Sequence, residues 1–194
     1  MTDGEILPTD DVQYYSTSCL SEKRDDLGDE DAFRAFLLED VEENAEYGSA
    51  WVRWQTEISE ARILERLADE YEIRAESLDE ITVELRSERG QALLLRIVAA
   101  GETVEIEGEY AIRQFLSPGD AEVEQMDGTI VSGMQLLPSA FFYLEPIKTG
   151  ESGFCIYGGG YGHGNGMSQC GAAQMAAEGA FYTDILEYYY GSFD

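Results

Sequence analysis

The spacing of apolar and polar residues changes repeatedly along the chain, and each change marks a predicted element. Between residues 51 and 58 the two classes alternate, which is typical of a half-buried strand. The apolar side of that strand would carry Val52, Trp54, Thr56 and Ile58.

Ser59 follows as the predicted N-cap of an amphipathic helix. The apolar stripe of this helix consists of Ile63, Leu64, Leu67 and Tyr71. Asp29 is predicted to cap a shorter helix, whose stripe consists of Phe33, Phe36 and Leu37.

Alternation returns in residues 81–85, 93–97 and 104–106, and Gly90 and Gly101 lie in the turns between these stretches. This arrangement predicts a three-stranded meander. A short helix is then expected before Pro118, followed by a polar loop over residues 117–128. Two further strands are expected in residues 140–144 and 153–157. The sequence therefore predicts an α+β fold with a mainly antiparallel sheet and short packed helices.

The segment richest in glycine is residues 158–171, which read GGGYGHGNGMSQCG and contain His163, the single histidine of the chain. Glycine at this density is tolerated where the backbone needs positive φ or close approach. The segment leads to Ser168, the predicted N-cap of a helix that stops at Gly179, and a second helix follows at the C-terminus. Free backbone N–H groups near a helix start suit hydroxyl, acetamido or carboxylate groups. The candidate substrate-binding residues are Tyr161, Gly162, His163, Gly164, Ser168 and Gln169.

The charge of the chain restricts its partners. Forty Asp and Glu residues against twelve Lys and Arg give a net charge of −28. Nucleic acid is excluded as a partner because phosphate binding depends on clustered basic residues. No apolar run approaches the length of about 20 residues that spans a bilayer, so no membrane insertion is expected. Residues 1–30 are predicted to be an acidic lead-in that packs only locally, and residues 31–194 a single domain.

His163 and the cysteines leave several alternatives open. His163 either faces an open cleft beside the helix that begins at Ser168 or only braces the glycine turn. Metal-ligand spacing is absent around His163, so neither a metal nor a cofactor is predicted. Cys170 paired with His163 would make a thiol hydrolase, the least favoured alternative. A disulfide between Cys155 and Cys170 is considered, but we expect free thiols, with Cys170 packed among small residues.

Residues 160–191 read GYGHGNGMSQCGAAQMAAEGAFYTDILEYYYG and resemble the C-terminal signature of the stage II sporulation protein D and amidase-enhancer family. Asn165 stands where that family has Val, and Cys170 where it has Tyr or Trp. The resemblance implies action on peptidoglycan glycan strands outside the cytoplasm, in the cell envelope or as a secreted protein. One branch of the family consists of lytic transglycosylases, and the other of amidase enhancers, which implies a cell-wall amidase as partner.

The family's catalytic acid is a glutamate in a Glu-Met motif, and residues 1–51 contain no such motif. Glycosidic cleavage needs a carboxylic acid that protonates the leaving oxygen. The resemblance therefore implies part of a lytic transglycosylase without its acidic segment, with His163 as the candidate catalytic residue, and this chain alone is not expected to cleave glycan. The alternative is a non-catalytic module that binds glycan or enhances an amidase.

Overall fold

The computed structural model describes residues 26–39, 50–164 and 166–191, apart from the side chains of Cys170 and Gln174. These ranges hold five α-helices: α1 (Glu30–Leu38), α2 (Glu60–Tyr71), α3 (Glu109–Phe115), α4 (Gln169–Ala177) and α5 (Tyr182–Tyr190). They also hold eight strands: β1 (Trp54–Ser59), β2 (Leu78–Arg86), β3 (Ala92–Ala99), β4 (Glu102–Glu107), β5 (Val123–Gln125), β6 (Ile130–Val131), β7 (Phe142–Pro146) and β8 (Gly153–Gly158).

The strands form two antiparallel sheets, which confirms the predicted α+β class. The larger sheet has the order β6-β5-β1-β8-β7, and the smaller is the meander β2-β3-β4. In the larger sheet Trp54 pairs with Gly158, and Gly158 also pairs with Phe142 on its other side. Strand β8, which pairs with β1 at the centre of this sheet, therefore leads directly into the glycine segment.

Both sheets contribute to one hydrophobic core, together with α2 and α3. Its fully buried members include Ile63 and Leu67 of α2, Leu95 of the meander and Ile156 of β8. A second cluster lies on the opposite face of the larger sheet, where α1 packs. Its members are Phe33, Phe36, Leu37, Phe141 and Tyr143. Helix α1 is thus attached by aromatic packing, which includes an edge-to-face contact of Phe33 with Phe141 at 4.7 Å between ring centroids.

The predicted helix caps are confirmed. The Asp29 carboxylate accepts a hydrogen bond from the Ala32 N–H at 3.0 Å, and the Ser59 hydroxyl accepts one from the Arg62 N–H at 3.2 Å. At the other end of α1, the Arg53 guanidinium donates to the Phe36 and Leu37 carbonyls, each at 2.9 Å. The Phe36 carbonyl also accepts from the Glu39 N–H at 3.3 Å, and Arg53 thus supplies further donors to the carbonyls at the C-terminal end of the helix. Burial lowers the pKa of Arg53 to about 10.

Three details of the predicted elements are wrong. Residues 50–52 form a 3₁₀ turn, so the strand begins at Trp54 and Val52 does not share its buried side. The segment expected to be a polar loop contains β5, whose fully buried Val123 pairs with Thr56. Leu85 is 53% exposed because register shifts between β2 and β3 turn it away from the core.

Most of the predicted acidic lead-in lies outside the described residues. Its described end is part of the folded body, since Leu27 is fully buried and donates its N–H to the Glu88 carbonyl at 3.0 Å. The prediction of purely local packing therefore does not extend to Leu27. The single-domain organisation of residues 31–194 stays a prediction. Within the described ranges, no helix has the length and apolar character to cross a membrane.

Candidate functional site

The glycine loop, defined here as residues 159–168, leaves the end of β8, and its first half is held by backbone and side-chain hydrogen bonds with residues 138–141 and with Trp51. The Gly159 N–H donates to the Phe141 carbonyl at 2.9 Å, and the Ser139 hydroxyl donates to the Gly159 carbonyl at 2.7 Å. The Gly160 N–H donates to the Trp51 carbonyl at 2.7 Å. Farther along, the Gly162 N–H donates to the Pro138 carbonyl at 2.8 Å. The first half of the loop is consequently fixed to the body of the protein.

Two side chains complete this attachment. The Trp54 indole Nε1 donates to the Gly160 carbonyl at 3.1 Å, and Trp54 itself is only 3% exposed. The Gln91 amide, on a buried side chain, donates to the backbone carbonyl of His163 at 2.9 Å. Gly162 has φ of 135°, a conformation that other residues rarely adopt, which explains glycine there. The backbone around His163 is therefore positioned by a buried amide and a buried indole.

The predicted substrate-binding residues lie on the surface of this loop and at the start of α4. Tyr161 is 65% exposed, and its ring lies 4.8 Å from the Trp51 ring, tilted by 42°. His163, Gly164 and Gln169 are exposed, whereas Gly162 and Ser168 are half-buried. These residues follow one another closely in the sequence, between residues 161 and 169. The open cleft expected beside His163 stays a prediction.

The start of helix α4 follows the predicted arrangement. The Ser168 hydroxyl accepts a hydrogen bond from the Gly171 N–H at 3.2 Å, as expected of an N-cap. The second half of the loop is bound by α5, since the Tyr190 hydroxyl accepts from the Met167 N–H at 3.2 Å. A Cβ atom on Gly166 would lie 3.3 Å from that hydroxyl. Tyr190 thus connects the C-terminal helix pair to the loop.

Sequence reasoning missed Gln91 and Ser139 as supports of the loop. Gln91 directly follows the turn at residues 86–90, and only its burial as a polar residue distinguishes it. Neither residue lies in a motif or on an apolar stripe. Their spacing in the sequence therefore does not indicate that their side chains bind a segment far along the chain. The sequence pattern predicts both Trp51 and Trp54 on a strand; Trp51 instead lies in the 3₁₀ turn, and both residues contact the loop.

Of the three cysteine side chains, the structure describes that of Cys155, and the alternative of a Cys170–His163 pair stays a prediction. Cys155 is a free thiol on β8. Burial raises the pKa of Cys155, and the nearby carboxylates of Glu57 and Glu145 raise it further, against a hydrogen bond from Tyr157 that lowers it. Since the thiolate is the nucleophilic form, this environment favours an inert thiol. The side chain of Cys170 lies outside the described residues. No group of three or more metal-binding side chains occurs in the described part of the chain.

Comparison with known proteins relates part of the chain to an amidase enhancer. The chain is 50% identical over 44 residues to the amidase enhancer of Bacillus subtilis (strain 168), a match that covers 23% of this chain and 6% of the relative. The chain thus spans only a small part of the curated relative's length. The match supports a relationship to amidase enhancers, whereas the relationship to stage II sporulation protein D stays a prediction.

A family model matches a much larger part of the chain. The model described as "Domain of unknown function (DUF8618)" covers residues 9–166. The matched region includes both sheets and reaches into the glycine loop as far as Gly166. Because the match covers well over half of the chain, the protein belongs to the family described as Domain of unknown function (DUF8618).

Proposed function

We propose that this chain is a non-catalytic cell-wall module that binds peptidoglycan glycan strands through the glycine loop and supports a cell-wall amidase outside the cytoplasm. The observation that carries the proposal is the attachment of the loop, which exposes Tyr161 and His163 on a backbone fixed at both halves. A fixed loop loses little conformational entropy on binding, so weak contacts with a sugar retain more of their free energy.

The chemistry of the exposed groups fits a sugar. The Tyr161 ring is supported by Trp51 and offers an apolar face, on which the C–H face of a pyranose can lie. The His163 imidazole and the Gln169 amide are able to donate and accept hydrogen bonds, as sugar hydroxyl and acetamido groups require. The start of α4 adds backbone N–H groups.

A non-catalytic role is favoured over cleavage by the composition of the loop. Residues 158–177 contain neither Asp nor Glu, so the loop and α4 supply no carboxylic acid for protonating a glycosidic oxygen. His163 is the only titratable side chain in this stretch apart from Tyr161 and Cys170. The role in supporting an amidase rests on the similarity to a protein described as an amidase enhancer.

The test is co-sedimentation of the purified chain with insoluble peptidoglycan, compared among three proteins. The wild type should bind, and Tyr161→Ala should bind at least about tenfold more weakly, because it removes the stacking face and leaves the backbone attachments in place. Tyr182→Ala is the matched control, since Tyr182 is 75% exposed and lies at the start of α5, outside the loop. This control should bind like the wild type.

Two binding results would overturn the proposal. One is the absence of wild-type binding to peptidoglycan, and the other is equal binding by the wild type and Tyr161→Ala. The soluble fraction should also be analysed for anhydro-muropeptides. Their release by the wild-type chain alone would replace the binding role with lytic transglycosylase activity. The amidase role is tested separately, by adding the chain to a purified cell-wall amidase and measuring the rate of stem-peptide release, which we expect to rise.

A further inference from the structure

A groove follows one side of helix α2. It consists of two cavities of about 320 and about 510 Å³ that adjoin at Arg62, which lines both. The smaller cavity lies between the start of α2 and the turn between β7 and β8, and the larger between α2 and α3. Both volumes fall in the range of ligand-binding clefts.

The lining of the larger cavity mixes hydrogen-bond donors, acceptors and one aromatic face. Tyr110 of α3 is 59% exposed there. The acceptors include the carboxylates of Asp69 and Glu70, and Gln114 and Gln135 contribute amides. An exposed tyrosine beside carboxylates and amides suits a ligand whose hydroxyl groups both donate and accept.

The two guanidinium groups of the groove are already engaged. Arg66 donates to the Gln114 carbonyl at 2.6 Å and to the Ser117 carbonyl and hydroxyl at 3.3 and 3.2 Å, so it caps the C-terminal end of α3. Arg62 forms an ion pair with Glu65 at 3.3 Å. Six carboxylates line the two cavities, against these two guanidinium groups, so the groove repels an anion. The same carboxylates accept hydrogen bonds from uncharged hydroxyl groups, so the lining suits a ligand that carries many hydroxyls and no negative charge.

One short segment joins the groove to the glycine loop. Gln135 and Leu136 line the groove, and two residues later the Pro138 carbonyl accepts the hydrogen bond from Gly162. Two residues of extended chain span at most about 7 Å. Arg113 of α3 holds this segment by donating to the Leu137 carbonyl at 2.9 Å. The groove and the loop are thus neighbours on a rigidly held stretch of backbone.

We propose that this groove is a second subsite for a neutral oligosaccharide, with Tyr110 as its stacking residue. The proposal rests on the proposed function, since it requires that a linear glycan bound at Tyr161 extends as far as the groove. It predicts a dependence on ligand length. A short sugar would occupy the loop alone, whereas a longer strand would also contact Tyr110 and gain affinity.

The experiment measures the affinity of the full chain, by calorimetry, for two probes: the disaccharide and the hexasaccharide of β-1,4-linked N-acetylglucosamine. The wild type should bind the hexasaccharide more tightly. Tyr110→Ala should weaken hexasaccharide binding by about five- to tenfold and leave disaccharide binding unchanged. Tyr182→Ala should leave both unchanged. Gln135→Ala is a second groove variant on an exposed loop, and it decides the matter if Tyr110→Ala does not fold.

The outcomes separate the two proposals. If the wild type binds the hexasaccharide and Tyr161→Ala impairs it, but Tyr110→Ala and Gln135→Ala bind like the wild type, the groove is not a subsite and the proposed function stands. If the wild type binds neither probe nor peptidoglycan, the proposed function fails, and the groove proposal fails with it. If only the groove variants lose binding, the groove is supported and the role of the loop is overturned.

Discussion

Replacing Gly158 by alanine should destabilise the protein through a single steric conflict. Gly158 ends β8 directly opposite Trp54, and a Cβ atom there would lie 2.2 Å from Cζ2 and 2.5 Å from Cε2 of the indole ring. Its φ lies outside the left-handed region, so the backbone itself accepts alanine. The whole effect therefore comes from contact with the ring.

The magnitude follows from how far the ring must move. Carbon atoms pack favourably at about 3.5–4.0 Å, so the indole has to shift by more than about 1 Å. Trp54 is only 3% exposed and hydrogen-bonded to the Gly160 carbonyl, so it has no open space to enter. Overpacking of this kind costs about 1–3 kcal/mol. For a chain of this size, the melting temperature should fall by about 2–12 °C.

The assay is thermal unfolding followed by circular dichroism, with Gly28→Ala as the matched control. A Cβ on Gly28 would meet its nearest neighbour, the Ser87 carbonyl, at an ordinary 3.5 Å, so this variant should not lose stability. Adding Trp54→Phe to each background tests the cause. The double variant should show a coupling energy of at least about 0.5 kcal/mol, since the smaller ring relieves the conflict. A melting temperature of Gly158→Ala equal to that of the wild type would refute the reasoning.

Three further predictions concern other parts of the molecule. Asp29→Ala removes the N-cap of α1 and should lower the free energy of unfolding by about 1 kcal/mol, as measured by urea titration. Raising NaCl from about 0.1 M to about 1 M shortens the Debye length from about 10 to about 3 Å and so weakens the repulsion within a chain of net charge −28. The melting temperature should therefore rise by several degrees, and a fall would contradict this prediction. Cys155 should be alkylated more slowly than a free cysteine at neutral pH, and faster in Glu57→Gln, because that carboxylate raises the thiol pKa. Peptide mass spectrometry measures both rates, and equal rates in the two proteins would contradict the role of Glu57.

The sequence predicted those features of the fold that depend on local spacing. The caps at Asp29 and Ser59, the meander and the helix that follows Ser168 are each encoded in a few neighbouring residues. Strand β5 was missed because it is only three residues long and lies in an acidic segment. Its single buried residue, Val123, gains a partner only when β1 lies beside it. Pairing across such a distance leaves no periodic trace in the sequence.

The candidate site, like the fold, could be predicted only in part from the sequence. The exposed residues of the loop were predicted because the density of glycine around His163 is unusual along the chain. The residues that hold the loop were not, because Gln91 and Ser139 act through single hydrogen bonds to backbone atoms more than fifteen residues away. Any polar side chain of suitable length would give the same pattern in the sequence, and only burial identifies these two.

The glycine loop and helix α4 differ in charge from the rest of the chain. In a chain of net charge −28, residues 158–177 contain no acidic and no basic side chain except His163. An uncharged stretch avoids the repulsion that the carboxylates exert on a negatively charged surface, and the proposed binding there would rely on stacking and hydrogen bonds. Salt should therefore act on the two properties differently. It should stabilise the fold by screening the carboxylates and leave the affinity of the loop for a neutral sugar almost unchanged.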